Sequence, residues 1–424
     1  MKIRIFALTF SLMFGILISQ AAALPNDSLA VISGIVRESV HNKKLAGVSL
    51  SVPGSNISTV SNDDGFFSIK VPFALLNAGI KAEHVGYSSE VVKANTQPDG
   101  QNNLTIRLNP SAKLLDEVLV YGADPRNLVE EAIRKIPQNY SPSQNLFSSF
   151  YRETVQKGKR YIEVSEAIVN VLKRPYKGRY TAGERVQVIK GRRLVSQKKN
   201  DTVAVKIVGG PTLPVVLDVV KNEDILFSLS ELDYYDFRME PMTTIDERRQ
   251  FVVSFNPRVM TNYALNKGKV YIDMETQSFT RAEFSLDMSD KDKATRAILY
   301  KKPRGLHFNP QEVEFTVTYK YQNGISYLNY IRTKTRFKCD WKRRLFSSSY
   351  TVYAEMVMVD RDDEPAQTIQ RKEAFGKTQI FNDLVENFSD DNFWKDYNII
   401  EPTESLEKAV SKLRKQKAKT MALY

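Results

Sequence analysis

Apolar and polar residues alternate in three short stretches near the start of the chain, at 32–36, 48–52 and 67–71. A period of two is typical of β-strands with one face in a core and the other in water. Before the third stretch lies Asn62-Asp63-Asp64-Gly65, whose Asp-Gly ending suits a tight turn with positive φ. The pattern predicts a small β-domain over residues 31–108.

The alternation returns in longer form between Phe147 and Val359 and predicts a larger antiparallel sheet. The clearest predicted strands cover residues 163–169, 251–255, 268–274, 278–286, 312–321 and 326–337. Asp273 and Thr276 have the spacing of a tight turn between two of these strands. We therefore expect residues 268–286 to form an antiparallel hairpin.

Two segments next to these sheets have helical patterns. A helix is predicted to begin at Asp124-Pro125, with the aspartate as N-cap, the proline in the first turn and an apolar stripe over 128–136. A second helix is predicted within Pro214–Phe227, where valines and leucines cluster. It would be either a lid over a cavity or a plug on one face of the sheet.

The last predicted helix follows Thr403 and Ser405, either of which is a suitable N-cap. Its apolar stripe over 406–413 is narrow, and its end at 414–417 is basic. We expect this helix to pack on the protein, with contact to anionic lipid as the alternative.

The β-domain at 31–108 resembles the carboxypeptidase regulatory-like domain. The resemblance rests on Gly34 in the first strand, on Leu45-Ala46-Gly47-Val48 and on the Asp64-Gly65-Phe66-Phe67 turn. It implies a prealbumin-like, Ig-like β-sandwich without catalytic residues of its own. The C-terminal tail, from Asn392 through Pro402 into the last predicted helix, resembles that of uncharacterised secreted envelope proteins of Bacteroidota that carry this module.

Two further resemblances concern the rest of the chain. The hairpin at 268–286 is similar to those of LolA/LolB-type carriers, in which a curved antiparallel sheet forms a half-barrel around an acyl chain. The string Leu115-Asp116-Glu117-Val118-Leu119-Val120 looks like the segment that follows the same module in SusC-type TonB-dependent receptors. No receptor barrel follows here, so we prefer to interpret the string as a strand that leaves the sandwich.

The first residues predict export. Lys2 and Arg4 precede an apolar run at 5–18 and the small residues Ala21-Ala22-Ala23, which is the pattern of a signal peptide over residues 1–23. No cysteine follows closely enough for a lipid anchor. Cys339 is the only cysteine, so no internal disulfide forms, which favours the bacterial periplasm or outer membrane over a eukaryotic extracellular location.

The net charge of the 424-residue chain is +12 at pH 7. An excess of this size suits anionic lipid, glycan or nucleic acid, and export excludes nucleic acid as the expected partner. The lysines and arginines are dispersed beside turns and strand ends. We interpret most of them as solvated, with anionic lipid headgroups at a membrane surface as the alternative.

The sequence contains no catalytic, cofactor-binding or metal-binding motif that we would assign. His41, His84 and His307 lack the His or Cys partners that a zinc site needs. Cys339 lies in a basic strand and is expected to be a structural thiol. The acidic stretches at 63–64 and 360–364 are interpreted as a scaffold turn and a solvated connector rather than as metal loops.

These observations predict a mainly β protein in which an N-terminal sandwich precedes a half-barrel-like antiparallel sheet with a few helices. The expected divisions are a signal peptide at 1–23, the sandwich at 31–108, a linker and helix at 109–145, the β-domain at 146–360 and a charged connector and helix at 361–424.

The favoured function is non-enzymatic: an envelope binding or assembly protein that holds either a lipid or a partner protein on its large sheet, without cofactors. A lipid carrier needs a continuous apolar cavity of roughly several hundred Å³. The alternatives are a glycan-acting hydrolase, which needs two carboxylates about 5–10 Å apart in a cleft, and an accessory to TonB-dependent uptake.

Overall fold

The alternating pattern of the sequence is realised as a small sandwich followed by a large sheet. The computed structural model describes residues 29–94, 101–111, 124–180, 182–198, 201, 209–299, 304–341, 347–365, 368–381, 384–385, 394 and 397–421. The predicted signal peptide and the Leu115–Val120 string lie outside the described residues.

The sandwich consists of a three-stranded and a four-stranded sheet, with strand orders β4-β1-β7 and β3-β2-β5-β6. Its strands are β1 (Leu29–Glu38), β2 (Ser49–Ser51), β3 (Ser58–Val60), β4 (Phe66–Pro72), β5 (Ile80–Glu83), β6 (Glu90–Val92) and β7 (Gln101–Leu108). A 3-10 helix follows β4 at Phe73–Ala78. The inward residues of the alternation, among them Ile32, Leu50 and Ile69, form one buried core. Gly65 occupies the predicted turn with a φ of 76°.

The large domain is one ten-stranded antiparallel sheet with the order β10-β9-β8-β17-β16-β15-β14-β13-β12-β11. Its strands are β8 (Asn145–Lys157), β9 (Arg160–Lys173), β10 (Arg185–Val195), β11 (Tyr235–Ile245), β12 (Arg248–Pro257), β13 (Asn266–Asp273), β14 (Phe279–Leu286), β15 (Leu306–Gln322), β16 (Ile325–Trp341) and β17 (Ser348–Asp362). After β10 the chain crosses to the opposite edge and returns strand by strand, so that β17 pairs with β8.

The predicted hairpin is confirmed as β13 and β14. Asp273 closes its turn, because one carboxylate oxygen accepts hydrogen bonds from the backbone N–H groups of Glu275 and Thr276, at 3.0 and 2.9 Å, and from the Thr276 hydroxyl at 3.0 Å. An aspartate that satisfies its own turn in this way fixes the register of the two strands.

The helices are α1 (Pro125–Arg134), α2 (Ile136–Asn139), α3 (Thr212–Val216), α4 (Lys291–Ile298) and α5 (Glu404–Met421). At α1 the Asp124 carboxylate accepts from the Arg126 N–H at 3.0 Å, as predicted for an N-cap. At α5 the Thr403 hydroxyl caps the Leu406 N–H at 3.2 Å. The predicted N-caps of α1 and α5 are therefore confirmed.

The helix predicted within Pro214–Phe227 is wrong in extent, because α3 ends at Val216 and turns follow. Four valines in this stretch are β-branched and gain little from a helix. Asp218 also diverts the chain, since its carbonyl accepts from Lys221 and Asn222 in a tight turn. The stretch belongs to an insertion between β10 and β11 that we call the plug, residues 209–234.

The two faces of the large sheet are covered by different parts of the chain. We call the face that carries Tyr151, Val253 and Ile331 the inner face, and it packs against α1, α2 and the plug. The opposite, outer face carries Phe150 and Tyr330 and packs against the sandwich and against Trp394 and Ile400. The sheet is thus the middle layer of a three-layer arrangement.

Candidate functional site

The inner face of the sheet, where a carrier would hold its lipid, is filled by the protein's own side chains. The plug residues Val219, Val220 and Phe227 belong to the same buried core as the sheet residues of this face. Phe227 contacts the ring of Phe255 at a centroid distance of 4.8 Å. Much of the apolar surface that the described strands create is consequently buried by the chain itself.

A buried ionic network fastens the plug to the sheet. Lys173 on β9 is fully buried, and its ammonium group lies 2.8 Å from the Asp218 carboxylate and 2.9 Å from that of Glu184. Tyr176 and Tyr319 donate to the same Asp218 carboxylate at 2.7 and 2.6 Å. One plug carboxylate therefore receives three donors from the sheet side.

The charges of this network are mutually stabilised. Burial by itself would raise the pKa of Asp218, but the positive charge of Lys173 and the three hydrogen bonds outweigh it, and the pKa lies below the usual value. Burial would likewise lower the pKa of Lys173, yet its two carboxylate partners raise it. Both groups stay ionised at neutral pH, which suits a structural ion pair rather than an acid or base in catalysis.

The outer face carries a row of charges of alternating sign on five neighbouring strands. Directly opposite positions hold Arg192, Glu166, Arg152, Glu355 and Arg332, on β10, β9, β8, β17 and β16. Arg152 and Arg192 both contact Glu166, at 2.7 and 2.8 Å. Opposite charges in directly paired positions stabilise a sheet, so the row fixes the register of its central strands.

The row also anchors the other layers. Arg152 donates to the Ile400 carbonyl at 2.7 Å, and the Arg192 guanidinium lies 4.7 Å from the centre of the Trp394 ring. Arg332 forms a bidentate pair with Asp63 of the sandwich at 2.6 and 2.8 Å. The acidic turn at 63–64 is thus part of a domain contact, in agreement with its interpretation as a scaffold feature.

The tip of the β11–β12 hairpin forms a second contact with the sandwich. Asp246 and Glu247 both adopt positive φ, at 52° and 60°, which is the conformation of a type I′ turn. Their carboxylates bind Lys81 and the Ser89 N–H, the latter at 2.6 Å. The tip is therefore held on both sides by the sandwich.

Two small cavities lie between the sandwich and the sheet. One has a volume of about 50 Å³ and is lined by residues that include Glu83, His84 and Arg281. The other, beside Asn56 and Tyr327, has a volume of about 20 Å³. Both are far below the several hundred Å³ that a lipid or a drug-sized ligand requires.

The residues that the sequence singled out for chemistry lie apart from one another. Cys339 is buried, and burial raises the pKa of its thiol to about 11, which agrees with a structural thiol. His84 is half-buried at the sandwich contact, whereas His41 and His307 are exposed. Among the described residues, no group of three or more His, Cys, Asp or Glu side chains is arranged to hold a metal ion.

The interpretation of 360–364 as a solvated connector is wrong at Arg361. Its side chain is only 8% exposed, and its guanidinium stacks on Tyr327 at 3.3 Å from the ring centre. It also donates to Asp363 at 3.0 Å and to Asn56 of the sandwich at 3.2 Å. An arginine can bury its flat group on an aromatic ring while its N–H groups find acceptors, which is why this charge lies inside.

The final helix packs on the protein, as expected. Leu406 and Leu413 are buried together with Val164 of β9 and Leu194 of β10. Its exposed side carries Lys408, Lys412 and other lysines. Within the described part of the chain, no helix combines the length and the apolar character needed to cross a membrane.

Solved structures with similar arrangements are distant from this chain. A DUF1329 family protein from Desulfovibrio piger ATCC 29098 is 11% identical, with a TM-score of 0.25 over 58% of this chain and 96% of its own. MucB, in its complex with MucA(peri), is 12% identical, with a TM-score of 0.17 over 57% of this chain and 100% of its own. Lipovitellin, from a structure of lipid–protein interactions, is 6% identical, with a TM-score of 0.24 over 54% of this chain and 26% of its own. Similarity at this level carries no argument about function.

Sequence comparison is more specific for the N-terminal part. No curated protein matches the chain significantly in sequence. Residues 32–120, however, match the family model of the CarboxypepD_reg-like domain. The match extends past the last sandwich strand and includes the Leu115–Val120 string, which the sequence pattern had left in the linker. The N-terminal sandwich of this protein therefore matches the CarboxypepD_reg-like domain.

Proposed function

We propose that this chain is a non-enzymatic binding protein of the cell envelope that binds its partner through its solvent-exposed surface. The observation that carries the proposal is the filled inner face, where the plug occupies the position that a carried lipid would need. The signal-peptide pattern of residues 1–23 supports an envelope location. Of the two ligands expected for the large sheet, a partner at the surface is therefore favoured over an enclosed lipid.

The hydrolase alternative gains no support from the buried carboxylates. Asp218 and Glu184 share one lysine and are 0% and 3% exposed, so neither faces a cleft that a glycan could enter. Glu166 is held between two arginines under the outer layer. Carboxylates in these positions are neutralised by their neighbours and are closed to substrate.

Native mass spectrometry of the protein from the envelope fraction of producing cells tests the proposal. We expect the mass of the polypeptide alone, unchanged by lipid extraction, because the described plug residues pack directly on the inner face of the sheet. A lipid carrier measured in parallel must retain its lipid, as the positive control. A bound lipid mass that disappears on extraction would contradict the proposal and restore the carrier hypothesis.

A further inference from the structure

One rim of the large sheet collects a set of exposed basic residues that are far apart in sequence. The strand registers pair Lys157 with Tyr350, Cys339 with Ser348 and Asn266 with Leu286, so β8, β16 and β14 all end on the same side. β12 ends there as well, since Pro257 pairs with Tyr235 at the start of β11. The turns that follow these strands form what we call the upper rim.

The described part of the upper rim is rich in exposed cations. They are Lys159, Arg258, Lys267, Arg296, Arg304 and Lys338. Acidic residues are also present, and Lys267 lies 3.5 Å from Asp287. The cations come from turns and strand ends spread along the rim and outnumber the exposed carboxylates there, which include Asp236, Asp290, Asp292 and Asp340. They therefore form a broad basic surface rather than a pocket for one anion.

The opposite rim is more evenly balanced in charge. It contains the hairpin tip Asp246-Glu247, Glu275 in the β13–β14 turn and the acidic stretch 362–364 after β17, together with the exposed cations Arg174, Lys177 and Arg249. The sandwich covers the hairpin tip. Among the described residues, exposed cations are thus in clearer excess on the upper rim, and a distribution of this kind orients a molecule towards a negative surface.

An exposed apolar tip projects from the middle of the upper rim. Met260 is 98% exposed, and Val259 and Tyr263 in the same β12–β13 loop are 37% and 45% exposed. The loop is fixed at its base, because the Arg258 N–H donates to the Tyr234 carbonyl at 2.8 Å and the Tyr263 hydroxyl donates to Glu231 at 2.7 Å. The loop is therefore held in place and presents Met260 to solvent beside Arg258.

We infer that the upper rim docks on an anionic phospholipid bilayer, with the Met260 tip in the headgroup region and the surrounding cations over the lipid phosphates. This inference deepens the proposed function, because it names the surface and the partner. A bilayer fits better than an acidic protein, since the cations are spread over a broad rim without a groove. Basic side chains supply attraction and an apolar tip adds burial, the combination by which peripheral proteins hold to membranes.

Vesicle flotation of the protein purified from producing cells provides the test. One set of vesicles contains phosphatidylglycerol, and the other contains phosphatidylcholine alone. We expect binding to the anionic vesicles only, decreasing as salt is added. Arg258→Gln combined with Arg296→Gln should weaken the partition coefficient about fivefold for each side chain at low salt, and Met260→Ser should weaken it further.

The matched control is Lys177→Gln combined with Val40→Ser, an exposed cation and an exposed apolar side chain away from the upper rim. The control should bind like the natural protein. Equal binding to both vesicle types, or equal binding of rim and control variants, would overturn the inference. Such a failure does not affect the proposed function, for which native mass spectrometry must show a polypeptide without bound lipid. A lipid found in native mass spectrometry contradicts the proposed function and leaves the vesicle result unchanged.

Discussion

At the scale of single residues, the buried charges connect parts of the chain that are distant in sequence. Asp218 is the clearest case, because its carboxylate joins the plug to Lys173, Tyr176 and Tyr319. Removing one member of a buried ion pair leaves the other charged and without its main partner. The network therefore predicts a large effect from a small change.

We expect Asp218→Asn to lower the free energy of unfolding by about 3 kcal/mol, since Lys173 would remain buried with Glu184 as its only carboxylate partner. Urea denaturation measures the change. Asp224→Asn, at an exposed position in the same plug, is the control and should change the free energy by less than about 0.5 kcal/mol. A loss below about 1 kcal/mol at Asp218 would show that the network does not fasten the plug.

These pairs could not be predicted from the sequence. Lys173 and Asp218 are 45 positions apart, and no periodicity indicates which of the 49 acidic residues meets which cation. The alternating row on the outer face depends on the register of five strands. The Asp273 turn, by contrast, was predictable, because its donors and acceptor lie within three residues of one another.

At the scale of elements, the sequence pattern located strands well and the plug poorly. A strand with one buried face can be recognised by its alternation of apolar and polar residues, as in β4 over Phe66–Pro72. In the plug, Val215, Val219 and Val220 are buried whereas Glu223 and Asp224 are exposed, and this pattern follows neither the strand period nor a continuous helix. Its actual turns are set by contacts with the sheet, which local sequence does not contain.

The first strand of the sandwich contains a glycine whose role the structure explains. β1 pairs in parallel with β7, and a Cβ atom added at Gly34 would lie 2.1 Å from the Leu104 carbonyl oxygen. Backbone cannot yield as a flexible side chain does, so the two strands would have to separate. This close approach accounts for the glycine that marks the family resemblance.

We expect Gly34→Ala to destabilise the sandwich by about 3 kcal/mol or more. Hydrogen exchange followed by mass spectrometry would report the loss as faster exchange in Leu29–Glu38 and Gln101–Leu108. Val31→Ala, on the same strand and 40% exposed, should leave exchange nearly unchanged. Unchanged protection in Gly34→Ala would mean that β1 and β7 can adjust their spacing.

At the scale of the whole molecule, the sandwich and the sheet are joined by ionic and hydrogen-bonded contacts. Ser58 donates to the Met358 carbonyl at 2.7 Å, and Asn62 donates to the Pro402 carbonyl at 3.0 Å. Together with Arg332 and the Asp246-Glu247 tip, these contacts tie three segments of the chain. A change in protonation at this contact should therefore affect the stability of the entire protein.

We expect His84 to be the titratable group that makes the stability of the protein depend on pH. Burial, and then the positive charge of Arg281, lower its pKa to about 4 from a usual value of 6.5. Between these two values the unfolded chain binds a proton that the folded protein excludes. Stability should therefore be full above about pH 6.5 and should fall as the pH decreases towards 4, by roughly 2 kcal/mol for a half-buried group.

Chemical denaturation at a series of pH values from about 7.5 down to about 4.5 would measure this loss of stability. In His84→Gln the slope over that interval should flatten, because the side chain that gains a proton on unfolding is gone. His41→Gln, at an exposed position, should keep the slope of the natural protein. If all three proteins lose stability in parallel, the acid sensitivity comes from carboxylates instead. The pH dependence would then belong to carboxylates such as Asp63 and Asp246, which pair with Arg332 and Lys81 across the sandwich contact, and not to His84.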